Sequence, residues 1–258
     1  ANSGVNTVSL FTINAGSVTL GSSGTLNYGS GIFTCTVVTG VCPGGGSQIF
    51  WDGGAGTLNW FDANNWSTNL VPAVTQNVTI GSGVGTIVVN GATQANSLIA
   101  DRSVLVSSGQ SLTLANASNF SDAFGLSGGS LLGAGNVTVS GPNGSLAWSG
   151  GTIGGGGNFL LASGRNGLLS GSLALNRSFQ NDGTLTLTGA SINGTGSIAN
   201  GGLITVVSNT ANTVNALMSN KVVEPTLGTT ILGRIQVNGL LTAANFPMND
   251  GVSNIASG

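Results

Sequence analysis

Gly128-Gly129-Ser130-Leu131-Leu132-Gly133-Ala134-Gly135-Asn136-Val137 is followed by Gly150-Gly151-Thr152-Ile153-Gly154-Gly155-Gly156-Gly157-Asn158-Phe159. A third copy is Gly189-Ala190-Ser191-Ile192-Asn193-Gly194-Thr195-Gly196-Ser197-Ile198. The shared pattern is Gly, Gly or Ala, Ser or Thr, Leu or Ile, then two spaced glycines ahead of an apolar residue, at offsets of 22 and 39 residues. An apolar residue two places before a glycine marks a finer ruler: Leu126, Trp148, Leu169 and Leu187, in steps of 22, 21 and 18. The third decamer therefore sits two rungs after the second. A period near 20, built from short strands and glycine turns, predicts a β-solenoid.

Packing explains the period. One repeat offers about three or four inward apolar side chains, too few to bury a core alone, but stacked rungs make a continuous column joined by parallel backbone pairing. Glycine supplies positive φ at the corners. Ser, Thr and Asn satisfy local backbone groups there and ladder with their equivalents above and below. Gly and Ser richness alone would also suit low-complexity disorder. The apolar residues recurring in phase with the glycines argue for the fold.

The chain has 258 residues, 45 of them glycine; 40% is hydrophobic and only 5% is charged. Ordinary domains carry about 25% charged residues and about 7% glycine. Disorder goes with low hydrophobicity and high charge, the reverse of this composition. The net charge of −2 leaves no electrostatic footprint for nucleic acid or an anionic membrane. No run of about 18 apolar residues marks a membrane span. With few charges to keep molecules apart, self-association is favoured. The opening Ala1-Asn2-Ser3-Gly4 reads as a mature end after removal of an export signal.

Residues 1–50 read as an N-terminal β segment, with short strands at Val8-Ser9-Leu10-Phe11-Thr12-Ile13, Ser17-Val18-Thr19-Leu20 and Thr25-Leu26-Asn27-Tyr28. Cys35 and Cys42 flank two β runs around Gly40, which brings them opposite each other and predicts a disulfide. A loop this small contributes roughly 2.5 kcal/mol in the chain-entropy account, and the bond implies an oxidising compartment. Redox-active cysteines would want nearby cations or C-x-x-C spacing. Zinc would want more ligands, and the chain has no histidine.

Residues 51–77 form a Trp-rich entry segment holding three of the four tryptophans, Trp51, Trp60 and Trp66. A solenoid has to cover its open first rung with bulky residues and turns, so these three are candidate cap residues. Flat rings also stack on sugars, which makes the same three candidate carbohydrate contacts. Asp52 and Asp62 read as acceptors for turn amides or indole N–H groups.

The run Trp51-Asp52-Gly53-Gly54, with Asn59-Trp60, Ala63-Asn64-Asn65-Trp66-Ser67, Val71-Pro72 and Val78-Thr79-Ile80, resembles an entry segment of large secreted bacterial surface proteins. Leu146-Ala147-Trp148-Ser149-Gly150-Gly151-Thr152-Ile153 is similar to the repeats of such proteins. The resemblance implies a right-handed parallel β-helix like those of autotransporter passengers and filamentous-haemagglutinin-type adhesins, displayed outside the cell. Gln76-Asn77 stands where an acidic residue would be expected before the Val-Thr-Ile strand.

Residues 78–208 read as the β-helix proper. Asp101-Arg102 is a surface turn pair of little energetic weight, and the stretch from Asn119 to Phe124 reads as a short loop breaking the rhythm. Residues 209–258 read as final rungs, a cap or a docking segment. Glycines vanish between Asn209 and Asn220, and Val214, Leu217 and Met218 have the spacing of one face of a short helix.

Some parallel β-helices cleave polysaccharides with paired carboxylates, or with a base and calcium. Here only Asp182 lies within the clear repeats, with Arg177 near it and Arg165 about one rung earlier, and all three read as solvated turn charges. A phosphate-loop motif is missing, as is the calcium-binding G-G-x-G-x-D repeat, so no catalytic residue, metal or cofactor is expected. Thr184, Thr186 and Thr188 alternate as an ice-binding row would, but one row does not make a surface. Asn-x-Ser/Thr sequons at Asn65, Asn77, Asn116, Asn119, Asn136, Asn143, Asn176 and Asn193 are of the frequency that chance gives in this composition.

These readings predict an all-β chain: a right-handed parallel β-helix with β-rich terminal segments, secreted and non-enzymatic. It would serve as a self-assembling surface fibre, matrix or adhesin component. Its partners would be copies of itself, with surface glycans as a further class and neither nucleic acid nor a membrane span. A carbohydrate-binding or polysaccharide-degrading β-helix protein is the alternative.

Overall fold

Leu126 pairs with Trp148, Trp148 with Leu169, and Leu169 with Leu187, so each step of the apolar ruler is one turn of a parallel β-solenoid. A computed structural model of the chain describes residues 47–207, 210–220, 222–223, 231–232, 234–243 and 253–255. Cys35, Cys42 and the strands expected before Ser47 lie outside the described residues. The solenoid has about seven turns.

The first described strand is β1 (Ser47–Trp51). The next turns are β2 (Gln76–Ile80), β3 (Ile87–Val89) and β4 (Ala92–Ala95), then β5 (Ser97–Ala100), β6 (Val104–Val106) and β7 (Ser111–Leu114). Four two-strand turns follow: β8 (Ser118–Phe120) with β9 (Ala123–Leu132), and β10 (Val137–Val139) with β11 (Ser145–Ile153). The other two are β12 (Phe159–Leu161) with β13 (Asn166–Leu175), and β14 (Ser178–Asn181) with β15 (Thr184–Asn193). Next come β16 (Ser197–Asn200), β17 (Leu203–Val206), β18 (Ala211–Val214) and β19 (Leu217–Asn220). A small hairpin, β20 (Val222–Val223) with β21 (Ile231–Leu232), precedes β22 (Arg234–Val237), β23 (Leu240–Ala243) and β24 (Ser253–Ile255).

One wall is a nine-stranded parallel sheet in the order β1-β2-β5-β8-β10-β12-β14-β16-β19. The other two walls belong to a single 13-stranded sheet. At its ends they are separate strands, β3 and β4, β6 and β7, or β17 and β18. In the middle turns each of β9, β11, β13 and β15 spans both walls as one bent strand. The repeated glycines make the bends. Gly128, Gly151, Gly171 and Gly189 take φ of 89°, 84°, 70° and 67° at the kink within these strands, a region open to glycine and strained for other residues. The last glycine of each decamer answers to a different constraint: a Cβ on Gly135, Gly157 or Gly196 would fall on the carbonyl oxygen of Asn116, Gly135 or Arg177, one turn away.

The core is a stack of inward side chains. On the first wall, Ile49 pairs with Val78 and Val78 with Leu98; further along, Val137 pairs with Phe159, Phe159 with Phe179, and Ile198 with Met218. All of these are buried, and each large one contributes roughly 1.5–3 kcal/mol. Phe120 stacks on Phe124 at 4.2 Å and Phe159 on Phe179 at 4.9 Å. Toward the C-terminal end one column turns polar. Leu161 pairs with Asn181, and Asn181 with Asn200. The Asn181 Nδ2 donates to Asn200 Oδ1 at 2.7 Å and to the Leu203 carbonyl at 3.2 Å, inside the solenoid.

Two expectations need correction. Residues 211–220 are not helical: β18 and β19 flank a corner at Asn215-Ala216. Val214 and Met218 point inward while Leu217 is 49% exposed, so alternation, a corner and alternation again imitate helical spacing. The stretch from Asn119 to Phe124 is no loop, because β8 and β9 meet at a tight corner and Phe120 and Phe124 stack in the core. Solenoid pairing is also present outside residues 78–208. β1 already pairs with β2, and β22 and β23 pair with β17 and β18. The hairpin accounts for the long step from Val206 to its partner Val237.

Candidate functional site

The tryptophans of the entry segment come together. Trp66 meets Trp60 at 4.8 Å and Trp51 at 4.9 Å between ring centroids, both edge-on. The Trp66 indole N–H donates to the Trp60 carbonyl at 2.8 Å. Trp60 and Trp66 are fully buried, and Trp51 is partly buried against them. Two hydrogen bonds fix this cluster on β3: Val88 N–H donates to the Leu58 carbonyl at 2.8 Å, and Trp60 N–H to the Val88 carbonyl at 3.0 Å. The segment thus lies along the outer edge of β3 and closes that wall, the work of a cap. Neither Trp60 nor Trp66 has a ring face open to a sugar. Only Trp51 keeps partial access.

Asn65 holds the cap loop in shape. Its side chain accepts from Ala55 N–H at 3.1 Å and donates to Thr57 Oγ1 at 3.0 Å and to the Asn59 carbonyl at 3.1 Å. Asp52 accepts from Gly54 N–H at 3.0 Å, and Asp62 accepts from the Thr57 hydroxyl. Both carboxylates shape turns. Among the described residues no group of three or more His, Cys, Asp or Glu side chains could hold a metal ion.

Arg177 departs from the expectation of a solvated turn charge. It is 3% exposed, and its guanidinium donates to the carbonyls of Gly154 at 2.7 Å, Gly133 at 2.6 Å and Gly135 at 3.3 Å. These acceptors belong to the glycine corners one and two turns below. Burial lowers its pKa from the ordinary arginine value. Asp182 stands at the other end of β14 and accepts from Gln180 Nε2 at 2.7 Å, so the two charges form no pair. Arg165 donates to the Gly141 carbonyl.

Asparagines ladder along the corner that leads into the first wall. Asn96 Nδ2 donates to Asn77 Oδ1 at 2.7 Å, Asn116 Nδ2 to Asn96 Oδ1 at 2.6 Å, and Asn215 Nδ2 to Asn193 Oδ1 at 2.7 Å. Of the sequon asparagines, Asn65 and Asn77 are buried, while Asn116, Asn136, Asn143, Asn176 and Asn193 are exposed.

The walls themselves carry no charge: no residue of β1 to β19 is Asp, Glu, Lys or Arg. Thr186 pairs with Leu168 on one side and Thr205 on the other, and Thr184 pairs with Asn166 and Leu203, so the threonine row has no regular array around it. The large apolar side chains exposed among the described residues are Leu58, Leu70, Val74, Val84, Ile99, Leu168, Leu217 and Leu240. Six of them, all but Ile99 and Leu168, lie in the first and last described turns. Sequence reasoning missed this grouping, although Leu70 and Val74 stand in a Pro-containing loop where no strand period calls for apolar residues. No helix among the described residues is long and apolar enough to cross a membrane. No family model, no curated protein and no solved structure matches this chain.

Proposed function

We propose that this chain is an extracellular, non-enzymatic structural protein that assembles with copies of itself into a surface fibre, matrix or adhesin component. The observation that carries the reading is a rod whose walls are uncharged from β1 to β19 and whose strands all run parallel along the first wall. Charge repulsion is what ordinarily keeps such surfaces apart, and strand edges pair readily unless they are blunted. The apolar interior and the parallel backbone ladders supply shape and stiffness, and the described titratable groups up to β19 lie in corners or in the cap. The resemblance of the Trp51-to-Ile80 run to secreted bacterial surface proteins fits the same reading, as does the disulfide expected between Cys35 and Cys42.

Negative-stain microscopy and sedimentation of the native material test it: fibres or large assemblies are expected, and a monodisperse monomer at all accessible concentrations would sink it. The carbohydrate alternative now rests on Trp51, the one ring of the cluster with partial access. Glycan-array binding abolished by Trp51→Ala, with assembly intact, would favour that alternative. Reducing-end release from a polysaccharide that disappears in Asp182→Asn would favour cleavage.

A further inference from the structure

We infer that copies of this chain join head to tail, the apolar collar around the first turn of one copy packing on the last turns of the next. This rests on the self-assembly reading and names its joint. Leu58, Leu70, Val74 and Val84 belong to the cap segment and the corner after β2, with Leu70 68% and Val84 91% exposed. Leu58 lies against Gly85, beside Val84, so collar residues from two separate loops are adjacent. At the other end, Leu217 on β19 and Leu240 on β23 are 49% and 63% exposed. Between these ends the described turns expose only Ile99 and Leu168 in this class. Exposed apolar side chains concentrated in this way mark an interaction surface.

Strand direction selects the occupant and its polarity. Among the described residues, β1 and β19 are the outermost strands of one parallel sheet. A second copy set down with the same polarity continues that ladder, and none of the nine strands carries a charge that would oppose it. A head-to-head copy would set the facing strands antiparallel and bring two like collars together. Head-to-tail contact uses a different surface on each side and does not close, so it propagates as an open filament.

The test uses the full chain. Leu70→Asp and Val84→Asp, singly and combined, are compared with Leu168→Asp in the middle of the rod, by sedimentation velocity, negative-stain microscopy and thermal melting. A carboxylate buried in an apolar joint without a partner is strongly disfavoured. The combined variant is expected to cut fibre mass about tenfold or more with an unchanged melting temperature, while Leu168→Asp assembles like the parent. Unchanged assembly in the combined variant overturns the joint. So does a melting temperature lowered by the collar substitutions, because the chain's own residues would then cover the collar. Loss of assembly in Leu168→Asp alone moves the contact to the walls and also overturns it. A parent protein that stays monomeric fails the self-assembly reading itself, which separates the two failures.

Discussion

Arg177 occupies a short corner, Asn176-Arg177, above two corners made almost wholly of glycine, Gly133 to Gly135 and Gly154 to Gly157. Glycine leaves room for a guanidinium to lie under the preceding turns, and three carbonyls accept from it. Deleting the donor takes it from the Gly154 and Gly135 carbonyls, which cost about 1–3 kcal/mol each when unsatisfied, while the Gly133 carbonyl keeps Gly156 N–H at 3.1 Å. Arg177→Met should therefore lower stability in urea unfolding by about 3 kcal/mol or more. Arg177→Lys should fall between, since one ammonium does not reach three spread acceptors. A second prediction separates the glycines by role. Gly156→Ala meets nothing within 4 Å and should change stability by less than about 0.5 kcal/mol. Gly157→Ala places a methyl on the Gly135 carbonyl and should cost about 3 kcal/mol in the same assay. The glycines were legible as corner residues from their spacing. Burial of Arg177 was not, because it depends on acceptors 23 to 44 residues earlier in the chain, and local sequence around an arginine between Asn and Ser looks like any exposed turn.

At the level of elements, the cap and the C-terminal strands show two kinds of legibility. Three tryptophans in a Gly- and Asn-rich stretch call for burial, and composition alone pointed to the cluster that Trp60 and Trp66 form in the core with Trp51 against them. Trp66→Ala should cost about 3–5 kcal/mol, read as a lowered urea midpoint, because it removes a ring packed against two others and the donor to the Trp60 carbonyl. Equal stability of Trp66→Ala and its parent would mean the cluster does not cap the core. The segment from Asn209 to Asn220 misled for a specific reason. Val214, Leu217 and Met218 satisfy a helical spacing, yet the corner at Asn215-Ala216 resets the alternation between β18 and β19. Ala216 is buried at that corner and Asn215 N–H donates to the Ile192 carbonyl of the previous turn at 2.8 Å. A corner without glycine leaves no mark that separates it from a helical turn. The partner that fixes it lies a full rung away.

For the whole molecule, the solenoid was readable because one turn resembles the next, and the strand register reproduces the apolar ruler from Leu126 to Leu187 residue for residue. What the repeat does not encode is the ends, where the pattern stops and exposed Leu70, Val84 and Leu240 begin. The distribution of charge adds a last prediction at this scale. Every described charge on the turns up to β19 sits in a corner or the cap, none on a wall strand, so the proposed association between rods would draw on apolar contact and strand-edge hydrogen bonds. Salt screens interactions between exposed charges beyond about 10 Å at 0.1 M and leaves those two contributions nearly untouched. Sedimentation of the assembled protein should therefore shift little between about 0.05 and 0.5 M sodium chloride. Sodium sulfate, which strengthens apolar burial by exclusion from protein surfaces, should increase the assembled fraction. Dissolution of the assemblies by sodium chloride alone would place the contact on the corner charges instead, and would require residues such as Arg165 or Asp182 at the interface.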